Sequence, residues 1–182
     1  MPYAEKLPIS CPQTVSFNDE SPWLGRHVLL AGEERTRVNR QRLKKKETAT
    51  ILRRLPDALR SKCLGVSKSR IALLPPHIHF DEQCVINFYY KTNGEKTVFF
   101  EGEYQIDVAA AQDSGNQYFV VDGNNLNEAF SFVAKNGDVW VLASQQVHAV
   151  VGKQEANREV VQLYMTASVE EVIAAFAGAE NK

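Results

Sequence analysis

Residues 138–165, DVWVLASQQVHAVVGKQEANREVVQLYM, decide the fold class of this chain. They contain the runs DVWVLAS (138–144), HAVVG (148–152) and REVVQLYM (158–165), each rich in β-branched or aromatic residues and set apart by polar stretches. Runs of that length and composition read as strands rather than core helices. The same texture continues upstream in IALL (71–74), CVINFYYK (84–91), TVFFEG (97–102), QYFVVDG (117–123) and AFSFVA (129–134). Asn93-Gly94, Asp122-Gly123 and Asn136-Gly137 stand between runs as hairpin signals. Eight such strands predict a mainly β domain, a small barrel or a double-stranded β-helix (jelly roll), with the jelly roll preferred.

The flanks read differently. The tail SVEEVIAAFAGAENK starts with Ser168, has Glu171 three residues on, and carries apolar residues at 169, 172, 173 and 176. That is a capping box followed by an amphipathic helix. Upstream, RVNRQRLKKKETATILRRL is dominated by helix formers and predicts one helix, or two meeting near Pro56. PISCPQTVSF and PWLGRHVLL read as two outer strands. The expected organisation is a single domain over 1–182. Residues 1–70 supply N-terminal strands and a basic helical segment, 71–166 the jelly-roll core, and 167–182 a C-terminal helix.

Composition narrows the function classes. The chain has 182 residues, 44% of them apolar, with 21 Lys plus Arg against 22 Asp plus Glu. This is the profile of one soluble domain and excludes disordered, collagenous and coiled-coil chains. No apolar run approaches the roughly 18 residues of a membrane span, and the start MPYAEKLPISCPQ has no leader pattern. Three cysteines without a C-x-x-C pair argue against a disulfide framework or a thiolate zinc site. A cytoplasmic protein is expected. The charge is uneven, because Arg35 to Arg70 holds 13 basic and 2 acidic residues.

The chemistry concentrates in PPHIHFDEQ, where His77, His79 and Asp81 alternate with Ile78 and Phe80. In an extended strand alternate side chains share a face, so His79 and Asp81 can converge on one cation. His148, opening a later strand, is the expected third ligand. Two imidazoles and a carboxylate on one face of a metal leave positions open, the arrangement of non-haem Fe(II) oxygenases. Arg158, ten residues further, opens the next run. A guanidinium turned into a barrel needs an anion, and a dicarboxylate supplies one through a bidentate pair.

On these residues the chain resembles the Fe(II)- and 2-oxoglutarate-dependent dioxygenases, especially the prolyl-hydroxylase-like branch. The resemblance spans roughly Leu73 to Met165. It includes His79-Phe80-Asp81, the strand Cys84 to Tyr90, the segment Gly94-Glu95-Lys96-Thr97-Val98-Phe99, Gly137-Asp138 leading to His148, and Arg158. It implies iron held by His79, Asp81 and His148. Arg158 would bind the distal carboxylate of 2-oxoglutarate, with Tyr90 on the same carboxylate. The implied reaction consumes 2-oxoglutarate and dioxygen, releases succinate and carbon dioxide, and hydroxylates a C–H bond of a small molecule or a peptide side chain. A carboxylate at Asp81 favours hydroxylation over halogenation. The segment 94–99 has one glycine where the family often shows two. Parity along 84–90 sends Ile86, Phe88 and Tyr90 to one face, and Asn87 and Tyr89 to the other.

Two further readings stand beside this one. His77-Ile78-His79 also resembles the H-x-H pair of cupins, which use a later Glu and His. Here the Glu falls early, at Glu82, and the residues before His148 are Ala143 and Gln145 where Pro and Gly are expected. The basic segment 35–70 suggests a nucleic-acid or phosphate-bearing partner. The preferred account of that segment is a helix face pairing with the acidic remainder.

Overall fold

The computed structural model describes residues 2–17, 24–29, 35–71, 73–106, 118–122, 125–152 and 158–179. They form a mainly β structure of two antiparallel sheets with three helices. In spatial order the larger sheet is β1 (Ala4–Lys6), β11 (Val139–Ala143), β6 (Cys84–Lys91), β13 (Arg158–Met165), β4 (Cys63–Ile71), β3 (Arg35–Arg42) and β2 (Leu24–Leu29). The smaller is β10 (Asn127–Val133), β7 (Lys96–Glu101), β12 (His148–Val151), β5 (Leu74–His79), β9 (Tyr118–Asp122) and β8 (Gln105–Ile106). The helices are α1 (Lys45–Leu52), α2 (Asp57–Arg60) and α3 (Val169–Ala179).

The runs 84–91 and 158–165 become β6 and β13 residue for residue, and they pair with each other at the centre of the larger sheet. Both are buried on two faces, which is why they read as near-continuous apolar runs. One face of this pair sends Ile86, Phe88, Val161 and Leu163 into an apolar layer closed by Leu55 and Leu59 from the α1–α2 region and Phe176 from α3. The other face looks across at the smaller sheet, where Tyr89, Phe99, Phe132, Val150 and Val160 form a second cluster. The capping box of α3 is made as expected: the Ser168 N–H donates to Glu171 at 2.9 Å, and the Glu171 N–H donates to Ser168 Oγ at 3.2 Å.

Several expectations are corrected. The Asn-Gly signals do not close hairpins. Gly94 (φ +86°) and Gly137 (φ +90°) sit between strands of different sheets, β6 to β7 and β10 to β11. They supply the left-handed turn in which the chain changes sheet. Gly123 of the third signal lies outside the described residues. The run 71–74 is not one strand but the end of β4 and the start of β5, with Ala72 outside the described residues. The basic segment starts as β3, pairing with both β2 and β4, and turns helical only from Lys45. Pairing on both edges overrides its helix propensity. The PISCPQTVSF stretch is not a strand; the first strand is Ala4–Lys6, while PWLGRHVLL does contain β2.

Among the described residues, four basic residues of the segment pair with carboxylates of the same chain. Lys68 is completely buried, with Nζ 3.0 Å from Glu47 Oε1 and donating to the Ser16 carbonyl at 2.6 Å. Arg70 pairs with Glu159, Arg60 with Asp57, and Lys62 with Glu171. Burial pushes the Glu47 carboxyl up. Hydrogen bonds from the Lys44 N–H, Lys68 Nζ and the Ser16 N–H outweigh that and hold it below the usual range. No helix among the described residues is long and apolar enough to cross a membrane.

Candidate metal centre

The site is built where β5 meets β12. The pairing passes from His148 opposite His77 to Val150 opposite Leu74, so β5 carries an extra residue at Pro75-Pro76. Proline lacks the N–H of a regular ladder and is tolerated at such a bulge. Past the bulge, alternation sends His77 and His79 to one face while the register sets His148 opposite His77. The three rings pack with centroids 4.2 Å (77–148), 5.2 Å (77–79) and 5.3 Å (79–148) apart. All three are buried, and the ligand atoms they offer lie within 4.8 Å of one another.

Each ring is held through its Nδ1. His77 Nδ1 lies 2.7 Å from the Pro75 carbonyl oxygen, and His148 Nδ1 lies 2.8 Å from that of Gln146. A carbonyl can only accept, so both Nδ1 atoms carry the proton and donate it, and the ring lone pair falls on Nε2. His79 Nδ1 hydrogen-bonds the carboxylate of buried Glu82. Carbonyls and carboxylates in this position fix the tautomer and orientation of metal-binding imidazoles. Burial, then the neighbouring imidazoles and Arg158, push His77 well below its ordinary value, against the raising effect of its Pro75 bond. Burial and His79 bring His148 down to about 3. Both rings are therefore neutral near pH 7, the state in which imidazole binds a metal.

The rings line a small cleft that is open at its mouth. Arg158, Asn87 and Gln162 from the larger sheet line the same cleft, with apolar Val85, Leu142 and Val150. Arg158 is 3% exposed, donates from Nη1 to Thr97 Oγ1 at 3.1 Å, and lies over the Tyr89 ring with its guanidinium carbon 5.5 Å from the ring centre. Its Nε is buried without a hydrogen-bond partner among the described residues. A buried guanidinium held by a neutral hydroxyl and a ring face, with a donor to spare, suits an anion entering the cleft.

Of the expected site residues, the structure brings His79, His148 and Arg158 together. It does not bring Asp81. β5 ends at His79, Phe80 and Asp81 occupy a bend, and Asp81 is exposed, so the alternation that would carry it inward has stopped. His77 stands in the group instead. Tyr90 is likewise elsewhere: it shares the outward face with Ile86 and Phe88, packs on the apolar layer and donates to the Pro12 carbonyl at 2.9 Å. Its neighbour Tyr89 is the tyrosine under Arg158, as the strand parity requires. Glu82, Thr97, Asn87 and Gln162 were not expected at the site. Parity on 84–90 was the signal available for Asn87, but the contact of Thr97 with Arg158 joins two sheets and leaves no local trace. No protein-family model and no curated protein sequence matches this chain.

Proposed function

We propose that this chain is a non-haem Fe(II)- and 2-oxoglutarate-dependent oxygenase that hydroxylates a C–H bond of a small molecule or a peptide side chain. His77, His79 and His148 hold the iron, and Arg158 holds the distal carboxylate of 2-oxoglutarate. The observation that carries the reading is the set of three buried imidazoles, each held at Nδ1 and gathered beside a buried arginine. Imidazole is a good ligand for iron, and three protein ligands leave positions open for co-substrates. The negative charge expected from a ligating Asp81 enters instead through Glu82, one hydrogen bond away on His79.

When bound, iron and 2-oxoglutarate supply dioxygen activation, yielding succinate, carbon dioxide and a hydroxylated product. The chain's own residues position and exclude. Thr97 and Tyr89 fix the guanidinium of Arg158, the Pro75 and Gln146 carbonyls fix two imidazoles, and Val85, Leu142 and Val150 keep that part of the cleft dry. The alternation of strands between the sheets, β4, β6, β11 and β13 in one with β5, β7, β10 and β12 in the other, supports reading the two sheets as a jelly roll.

A second reading has an observation in its favour. His77 and His79 both join the cluster, as in the H-x-H pair of cupins, whereas Asp81 does not. A cupin-type oxygenase without 2-oxoglutarate would use Arg158 for its substrate's own anion. Anaerobic titration of metal-free protein with Fe(II) and 2-oxoglutarate separates the two. The proposal expects a visible metal-to-ligand charge-transfer band, lost in His79→Ala and in Arg158→Ala. Iron binding without a band favours the cupin-type centre, and no iron binding by the folded protein overturns both.

A further inference from the structure

The wall facing the histidines carries polar groups that iron and 2-oxoglutarate do not use. Asn87 is 2% exposed and Gln162 8%, and they sit directly opposite each other in the register of β6 and β13. Gln162 Oε1 accepts from Ser69 Oγ at 2.8 Å, with the Tyr164 hydroxyl 3.5 Å from the same oxygen, so the amide's NH₂ is the end turned away from those hydroxyls. Asn87 Nδ2 donates to the Tyr89 hydroxyl at 3.3 Å, while its Oδ1 is buried with no hydrogen-bond partner among the described residues. Both side chains line the cleft. Buried polar atoms of native proteins are almost always paired, so an orphaned oxygen on a residue that lines the cleft marks where a ligand's polar atom would complete the wall.

We infer that Asn87 and Gln162 form a substrate subsite for an amide whose C=O and N–H point to the same side, the edge shared by primary carboxamides and cyclic amides. The ligand N–H donates to Asn87 Oδ1, and its C=O accepts from the Gln162 NH₂. A trans secondary amide turns these two groups to opposite sides and cannot meet both residues of one wall. The inference rests on the proposed oxygenase only in making the bound amide the molecule that is oxidised; the binding itself needs no metal.

Saturation-transfer NMR on the full-length, metal-free protein tests this with acetamide, 2-pyrrolidinone and N-methylacetamide as probes. Acetamide or 2-pyrrolidinone is expected to receive saturation well above N-methylacetamide. A response confined to 2-pyrrolidinone assigns a cyclic substrate, and one confined to acetamide an open-chain carboxamide. Gln162→Glu keeps an oxygen towards Ser69 but replaces the NH₂ donor, and it should weaken binding of the responding probe about tenfold, the effect of one hydrogen bond lost in a buried site. Asn87→Leu should do the same; if it fails to fold, Gln162→Glu decides alone. No response, equal response to all three probes, or binding unchanged by Gln162→Glu overturns the inference and leaves the wall a hydrated structural network. Equilibrium dialysis of the same protein against Fe(II) scores the metal centre separately, so failure of one claim is distinct from failure of the other.

Discussion

β6 and β13 have two faces that are equally buried and chemically different, one wholly apolar and the other mixed. One presents Ile86, Phe88, Val161 and Leu163 to the helices, and the other presents Asn87, Gln162 and Arg158 to a cleft. An apolar face gains from leaving water, whereas a polar face loses unless its groups find partners. The first accounts for why the domain folds. The second combines apolar Tyr89 and Val160 with polar groups whose burial costs stability unless a partner meets them. The difference teaches that burial alone does not separate core from site; the chemistry of alternate residues on one strand does.

Breaking the dry face should have the largest effect. Phe88→Ala, at a fully buried position, is expected to cost about 3–5 kcal/mol in chemical denaturation. Iron bound per folded molecule should stay unchanged. A loss under about 1 kcal/mol would mean that this layer does not hold the helices to the sheet.

Next comes the buried pair linking α1 to β4. Glu47→Gln takes the countercharge from the fully buried Lys68, leaving its bond to the Ser16 carbonyl, and should cost about 3 kcal/mol near neutral pH. Because the Glu47 carboxyl is held below its ordinary value, its stabilisation is present above the unfolded glutamate pKa and is lost as pH falls through the folded one. The variant should therefore show a shallower acid decline than the parent. Parallel declines would remove Glu47 from the account.

The cleft face has its own pH signature. His148 goes from 6.5 to about 3 on folding, so between those values the unfolded chain binds protons that the folded chain refuses. Stability of the metal-free protein should rise with pH across that window and level off above it. His148→Gln should flatten part of that rise, as measured by thermal melts across pH. The smallest effect is expected for Asn87→Leu, which removes an orphaned buried acceptor together with one long hydrogen bond. Its stability should lie within about 1 kcal/mol of the parent, or slightly above it. That near-neutral result beside a damaging Phe88→Ala would establish that the two faces serve different ends.

Much of the strand pattern was legible because it depends on local composition. CVINFYYK and REVVQLYM needed no partner to be read, and Ser168 with Glu171 marked the last helix through a contact three residues long. What lay hidden depends on pairing. RVNRQR has helix-forming residues and becomes β3 because β2 and β4 flank it. At the site, His79, His148 and Arg158 were visible by residue type and spacing. The exchange of Asp81 for His77 was not, because it turns on where β5 stops and on a Pro-Pro bulge that only the register with β12 reveals.

The central claim is that the three histidines form the metal centre. Anaerobic equilibrium dialysis with Fe(II) of the parent, His77→Ala and Asp81→Ala proteins, each shown to be folded, tests it most directly. The account predicts that His77→Ala loses the bound iron and Asp81→Ala keeps it at parent stoichiometry. Loss in Asp81→Ala with retention in His77→Ala would contradict it and return the ligand set to the His79–Asp81 pair.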